Sequence, residues 1–350
     1  MQKNILMLTF LFPAFAVVKA QDSTKSSSLK FSGSADVYYR YDLNRPKSEP
    51  FNNFTSFTHS QNSFELGMIS LKAEQQLGKA GLVAELGFGK RAEEFSYNDK
   101  STSVSISQLY VTYSPSTAVK FSLGSWSTHV GYELLNPASN KNYSMSYMFS
   151  YGPFFHTGIK GELALSSKTS LMVGITNPSD LKSANNLPKM IIAQLATTSI
   201  DDKLSAYLNY QGGKNSDSGR LYQADLVLNY SLSGKLTLGY NGTVQARQIS
   251  NSGKWQSAKN WWGSAIYANY NQNEWLTFSL RAEYFNDSKN VVGLNTDIFE
   301  TTLSTLFKVD NLTIIPEIRF ENAASKIYLQ SNDQPVNCTA NVLLAAVYQF

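Results

Sequence analysis

One cysteine, three histidines, few charges and no long apolar run mark this chain by what it lacks. Cys338 has no second thiol to pair with, which excludes the small disulfide-stapled folds of exported domains. It stands in the last apolar segment, where a small buried or lipid-facing role is expected. His59, His129 and His156 fall at unrelated spacings, so no metal-ligand motif forms, and no cofactor is expected. Glu93-Glu94 is a pair of neighbours in a charged loop rather than a convergent acid–base dyad. Beyond residue 20 nothing approaches the roughly 18 consecutive apolar residues of a membrane-spanning helix. Charged residues are 16% of the chain, well below the roughly 25% of ordinary soluble proteins.

What is present instead is aromatic: 20 Tyr, 20 Phe and 5 Trp make up 13% of the residues. The start of the chain reads as an export signal. Lys3 supplies a positive end, Ile5 to Val18 an apolar stretch broken only by Thr9 and Pro13, and Val18-Lys19-Ala20 the small residues of a cleavage site. Cleavage after Ala20 is expected, leaving 21–29 as a short periplasmic tail and 30–350 as one transmembrane domain. The chain carries 30 Lys and Arg against 26 Asp and Glu; without Lys3 and Lys19 this is 28 against 26, a net +2. That balance gives no reason to expect a nucleic-acid partner.

From residue 30 onward the apolar pattern has a period of two. Successive side chains of a strand point to opposite faces, so the two parities report two environments. Phe31, Gly33, Ala35, Val37, Tyr39 and Tyr41 alternate with Ser32, Ser34, Asp36, Tyr38 and Arg40. Leu276, Phe278, Leu280, Ala282 and Tyr284 alternate with Thr277, Ser279, Arg281 and Glu283. Charges keep to one parity within each strand, as expected of a wall with lipid outside and water inside.

About sixteen such segments (fourteen to eighteen) can be drawn: 30–41, 63–77, 81–90, 104–113, 118–127, 155–166, 169–177, 189–199, 203–211, 219–231, 235–247, 260–271, 275–286, 296–308, 311–321 and 337–350. Every second connector is a tight polar turn and the others are longer, the arrangement of short periplasmic turns and longer external loops. The sequence therefore predicts an all-β, antiparallel up-and-down barrel in a bacterial outer membrane. Pro316 suggests a bulge in its strand, and the mixed parity of Leu66, Met68, Ile69 and Leu71 suggests another. Tyr348 and Phe350 end the last strand in the manner of an assembly signal read by barrel-insertion machinery. Aromatic belts account for many of the other rings, with outer-membrane lipids as their partner.

About sixteen strands is the size at which a barrel encloses an aqueous channel. The longest connector, 128–154, holds Gly131-Tyr132-Glu133, Asn136-Pro137 and Asn142 to Phe149. It is aromatic and methionine-rich where external loops are ordinarily charged, so it is expected to fold inward and narrow the pore. Glu133, Lys141 and Tyr143 are the constriction candidates. Candidate lumen charges, all on the inward parity, are Asp36, Arg40, Lys72, Glu74, Lys120, Lys160, Glu162, Arg281, Glu283, Glu317 and Arg319. Both signs are interspersed, which predicts weak ion selectivity.

Leu123-Gly124-Ser125, Gly131-Tyr132-Glu133, Asn142-Tyr143-Ser144, Gly152-Pro153 and Phe155-His156-Thr157-Gly158, followed by Leu171 to Asn177, resemble the central signature of the OmpL-like β-barrel porins. The resemblance is dense over 104–180 and elsewhere is barrel pattern. It implies an outer-membrane porin passing small hydrophilic solutes. In that family a lysine commonly stands at the place of Ser125 and an arginine at that of Met145, so this chain is expected to favour anions less. The alternatives are a substrate-gated or non-channel barrel for adhesion or assembly, and a lipid-modifying enzyme. For the enzyme, His156 is the most interesting of the three histidines because the family signature includes it, and a hydrogen bond to the connector is its expected role. A homo-oligomer is compatible with the size, but the sequence specifies no interface.

Overall fold

The computed structural model describes residues 28–350. The expected signal peptide, 1–20, and most of the expected tail, 21–27, lie outside the described residues. Sixteen barrel strands follow in order: β1 Lys30–Asp42, β2 Ser63–Leu77, β3 Ala80–Phe88, β4 Ile106–Tyr113, β5 Val119–Ser127, β6 Phe155–Ala164, β7 Thr169–Thr176 and β8 Met190–Thr198. The second half comprises β9 Leu204–Ser216, β10 Gly219–Ser231, β11 Leu236–Asn251, β12 Lys259–Asn271, β13 Leu276–Asn286, β14 Asp297–Val309, β15 Leu312–Ala323 and β16 Cys338–Gln349. Each pairs antiparallel with its neighbours in sequence, and β16 pairs back onto β1, so the sheet closes. Closure leaves no open edge, the condition for a sheet to cross lipid. Two short ribbons stand outside this ring: Lys254–Trp255 against the end of β11, and Tyr328–Leu329 against Pro335–Val336.

The outward parity is apolar and exposed, as Phe31, Leu123, Ile266 and Leu344 show, because lipid rather than protein covers it. Cys338 lies on that outward face. The inward parity is polar: Ser34, Asp36, Arg40, Asn209, Asp225, Asn241, Arg281 and Glu283 are all buried. At the seam, Phe350 N–H donates to Gly33 O and Gly33 N–H to Phe350 O. Gly33 is needed there, since a Cβ would stand 2.4 Å from the backbone oxygen of Ser70 and 2.5 Å from Phe350 Cζ. Tyr348 and Phe350 stay half-exposed on the lipid side.

The mixed parity of β2 has its cause in a bulge. Ala35 pairs with Ile69 but Val37 with Leu66, so Gly67 and Met68 together face Asp36, whose Oδ1 accepts Met68 N–H at 3.1 Å. Pro316 does not produce the bulge expected of it. The β14–β15 register continues unchanged from Ser304/Glu317 to Phe307/Ile314, and Pro316 turns outward while staying paired to Leu344. A missing donor is tolerated because the other ladder holds the strand in place. A second difference is at 212–218, which reads as a connector. The strands run on to a two-residue turn, and β9 to β12 form a taller stretch of wall, 13 to 16 residues long.

Candidate functional site

The longest connector leaves β5 at Thr128 and does not stay outside. Thr128 N–H donates to Phe154 O, closing its base, and Asp180 from the 177–189 loop accepts Phe154 N–H and Phe155 N–H at 2.7 and 3.0 Å. Burial pushes the Asp180 carboxyl up to about 6 despite these donors. Between those feet the segment runs down the lumen. Tyr132 stacks on Tyr267 of β12 with ring centroids 3.9 Å apart, and Gly131 N–H donates to Asp225 of β10. A single 3-10 turn, Pro137–Ser139, follows Asn136, whose carbonyl accepts Ala138 N–H and Ser34 Oγ–H of β1. The chain then returns through α2, Tyr147–Tyr151, which Ser146 caps by accepting Phe149 N–H.

The returning backbone is held by charged wall residues: Glu317 accepts Tyr143 N–H at 2.8 Å and Ser144 N–H at 3.2 Å. Glu283 accepts Tyr147 N–H and Met148 N–H at 2.7 and 2.8 Å, where α2 begins and its amides lack helical partners. Arg281 donates to Ser144 O, and Arg319 to Met145 O, both at 2.7 Å. Behind these contacts the charges neutralise one another. Arg281 bridges Glu133 at 2.7 Å and Glu300 at 3.0 Å, and Arg319 pairs with Glu321 at 2.7 Å. Buried ions of this kind persist because each guanidinium has carboxylate partners, Arg319 Nε reaching Glu300 at 3.7 Å without a hydrogen bond.

Of the three constriction candidates, Glu133 is buried against Arg281 and accepts Ser146 N–H at 2.8 Å. Tyr143 is buried, its hydroxyl donating to Asp36 at 2.5 Å. Lys141 is only partly covered, and burial together with Lys308 lowers its ammonium to about 8. The lumen-charge candidates divide. Asp36, Arg281, Glu283, Glu317 and Arg319 face the inward loop, while Arg40 is buried under the 43–62 loop, donating to Ser60 O at 2.7 Å. The rest stand in two groups away from it. Lys72 pairs with Glu74 at 2.9 Å, and Glu162 with Lys160 at 3.0 Å and Lys120 at 3.6 Å. Lys160 also lies 5.0 Å above the Trp126 ring.

Several residues of this assembly are invisible to parity alone. Arg91, on α1 (Lys90–Phe95) of the 89–105 loop, has its guanidinium 4.8 Å from the Phe57 ring and 4.9 Å from that of Tyr143. Phe57, Phe95, Met145, Phe149 and Phe154 bring three loops into one apolar cluster. Leu343, Ala345 and Val347 make the inward face of β16 apolar where Tyr143 packs. Toward the loop end a cavity of about 580 Å³ opens among Tyr97, Tyr151, Phe154, Asn215 and Arg247. His156 Nε2 lies 3.2 Å from Thr128 Oγ1, at the foot of the loop.

A closed sixteen-strand antiparallel barrel, apolar outside, polar inside and with a long loop folded into its bore, is a porin-type barrel of the bacterial outer membrane. The chain belongs to the family described as "Putative beta-barrel porin-2, OmpL-like", whose profile matches residues 28–350. Solved structures share the fold at low identity. An anion-selective porin from Comamonas acidovorans aligns with a TM-score of 0.61 and 12% identity, over 92% of this chain and 99% of that one. The outer membrane channel DcaP of Acinetobacter baumannii gives 0.60 and 11%, over 92% and 97%. OmpT of Vibrio cholerae, in trimer form, gives 0.60 and 11%, over 93% and 100%. No curated protein sequence matches the chain.

Proposed function

We propose that the barrel passes small hydrophilic solutes by passive diffusion, with the 128–154 loop setting the bore. The observation that carries this is the fixation of residues 143–148 against β13 and β15 by Glu283, Glu317, Arg281 and Arg319. A loop held by so many charge-assisted bonds is a fixed obstacle, and a fixed obstacle beside a polar wall is a size filter. In this reading the solute passes along the wall that the loop does not cover, near Lys120, Lys160 and Glu162. Lys141 supplies a further charge from the loop itself. Vesicle swelling with neutral sugars of increasing size tests it. Rates should fall steeply with solute size, and no swelling with even the smallest sugar, in a sample shown folded by heat-shifted gel mobility, would contradict it.

One observation favours a second reading, a barrel opened by its substrate. Tyr147, Tyr151 and Phe285 form a cluster in which each ring stacks on the other two, with centroid spacings of 5.4 to 6.4 Å. Conductance that appears only in the presence of a particular solute would favour it. A channel role is preferred to catalysis because the family is one of β-barrel porins, and the 3.2 Å contact of His156 Nε2 with Thr128 Oγ1 ties the foot of the loop to β6. Assembly into a homo-oligomer is part of the proposal, and cross-linking in native membranes would test it.

A further inference from the structure

The taller wall of β9 to β12 carries a feature that the bore does not use. Lys214 and Arg220 are ladder partners, so both point to one face. That face is the outward one, because their neighbours Leu221 and Asn215 line the inner cavity. The Lys254–Trp255 ribbon folds back on β11 and sets the Trp255 ring under both cations, 3.8 Å from the Arg220 guanidinium and 5.9 Å from Lys214 Nζ. Neither cation is in an ion pair among the described residues.

Height decides what these cations meet. On the same outward face, Tyr222 lies two residues further into the membrane than Arg220, and Tyr210 four residues further in than Lys214. Tyr210, Tyr222 and Trp262 are all about 40% exposed on the outward face, as rings of an interfacial aromatic band would be. At about 3.4 Å per residue, Arg220 stands roughly 7 Å above that band along the strand, at the level of lipid headgroups. Below it the outward Leu208 and Leu226, opposite each other in the ladder, offer an apolar surface to acyl chains. A guanidinium held 3.8 Å from an indole ring retains N–H donors for an oxyanion and loses less freedom on binding it than an unsupported side chain.

We propose that Lys214, Arg220 and Trp255 form a binding site for the phosphorylated headgroup of an outer-leaflet glycolipid. The lipid lies against β9 and β10 with its chains over Leu208 and Leu226 and its phosphate on the two cations. Native mass spectrometry of the full-length, detergent-solubilised protein tests this, with bisphosphorylated lipid A and its dephosphorylated form as probes. The wild type should bind the phosphorylated form about tenfold more tightly, and the Lys214→Gln/Arg220→Gln double variant should lose that preference while keeping its heat-shifted mobility. Equal binding of the two probes by the wild type, or a preference that survives in the folded double variant, would overturn it. Displacement of the lipid by millimolar inorganic phosphate would also overturn it, by making the site one for soluble anions.

Discussion

Arg281 shows how one side chain can settle what a wall position does. Its guanidinium is fully buried and shared among Glu133, Glu300 and Ser144 O. Replacing it with alanine leaves the buried Glu133 without its cation and Glu300 with only the 3.7 Å contact to Arg319, and breaking a buried pair in this way costs about 3–5 kcal/mol. The cost falls on the loop more than on the barrel ladder, so Arg281→Ala should leave strand content by circular dichroism unchanged while loop residues 133–146 become open to protease. Continued resistance would show that the apolar cluster alone holds the loop. Lys141 makes a pH prediction. Its ammonium is lowered to about 8, so it is charged at neutral pH and loses its charge above 8. Cation preference, read from the reversal potential, should therefore rise between about pH 7 and pH 9. The rise should vanish in Lys141→Gln; its persistence there would assign the titration to another group.

At the scale of elements, lipid made the strands legible. Only a period-two pattern satisfies a wall with an apolar outside and a wet inside, so most strand ends fall within a few residues of where alternation places them. The two exceptions have physical causes. Gly212-Gly213-Lys214-Asn215 is polar enough to read as a loop, but its backbone continues the ladder with β10, Gly213 pairing with Leu221 and Lys214 with Arg220. Pro316 keeps its register because β16 supplies the second ladder. The seam offers a prediction of its own. Phe350 exchanges two backbone hydrogen bonds with Gly33 and packs its ring on the glycine. Deleting Phe350 should slow barrel closure severalfold, measured as the appearance of the heat-shifted band; an unchanged rate would leave the terminal residue a passive end.

Taken as a whole, the molecule separates a lipid-determined shell from a loop-determined interior, and the two were unequally readable. Parity assigns a side chain to the inside but cannot say what stands opposite it. Thus Glu283 and Glu317 read as lumen charges, whereas both accept backbone N–H groups of the loop. Glu300 stands on the inward parity of its strand and is open to the same reading, whereas Arg91 completes the assembly from the 89–105 loop, where parity says nothing. The composition of 128–154 did signal packing, because Tyr, Met and Phe are costly to leave in water. The packed loop is proposed to set the bore of an open channel. This is tested most directly by single-channel conductance under a salt gradient, comparing the wild type with a variant in which Asn136 to Ser146 is replaced by a short glycine–serine linker. The account predicts stable ohmic steps in the wild type, with larger steps and an altered reversal potential in the variant. Identical conductance and selectivity in the two folded proteins would contradict it.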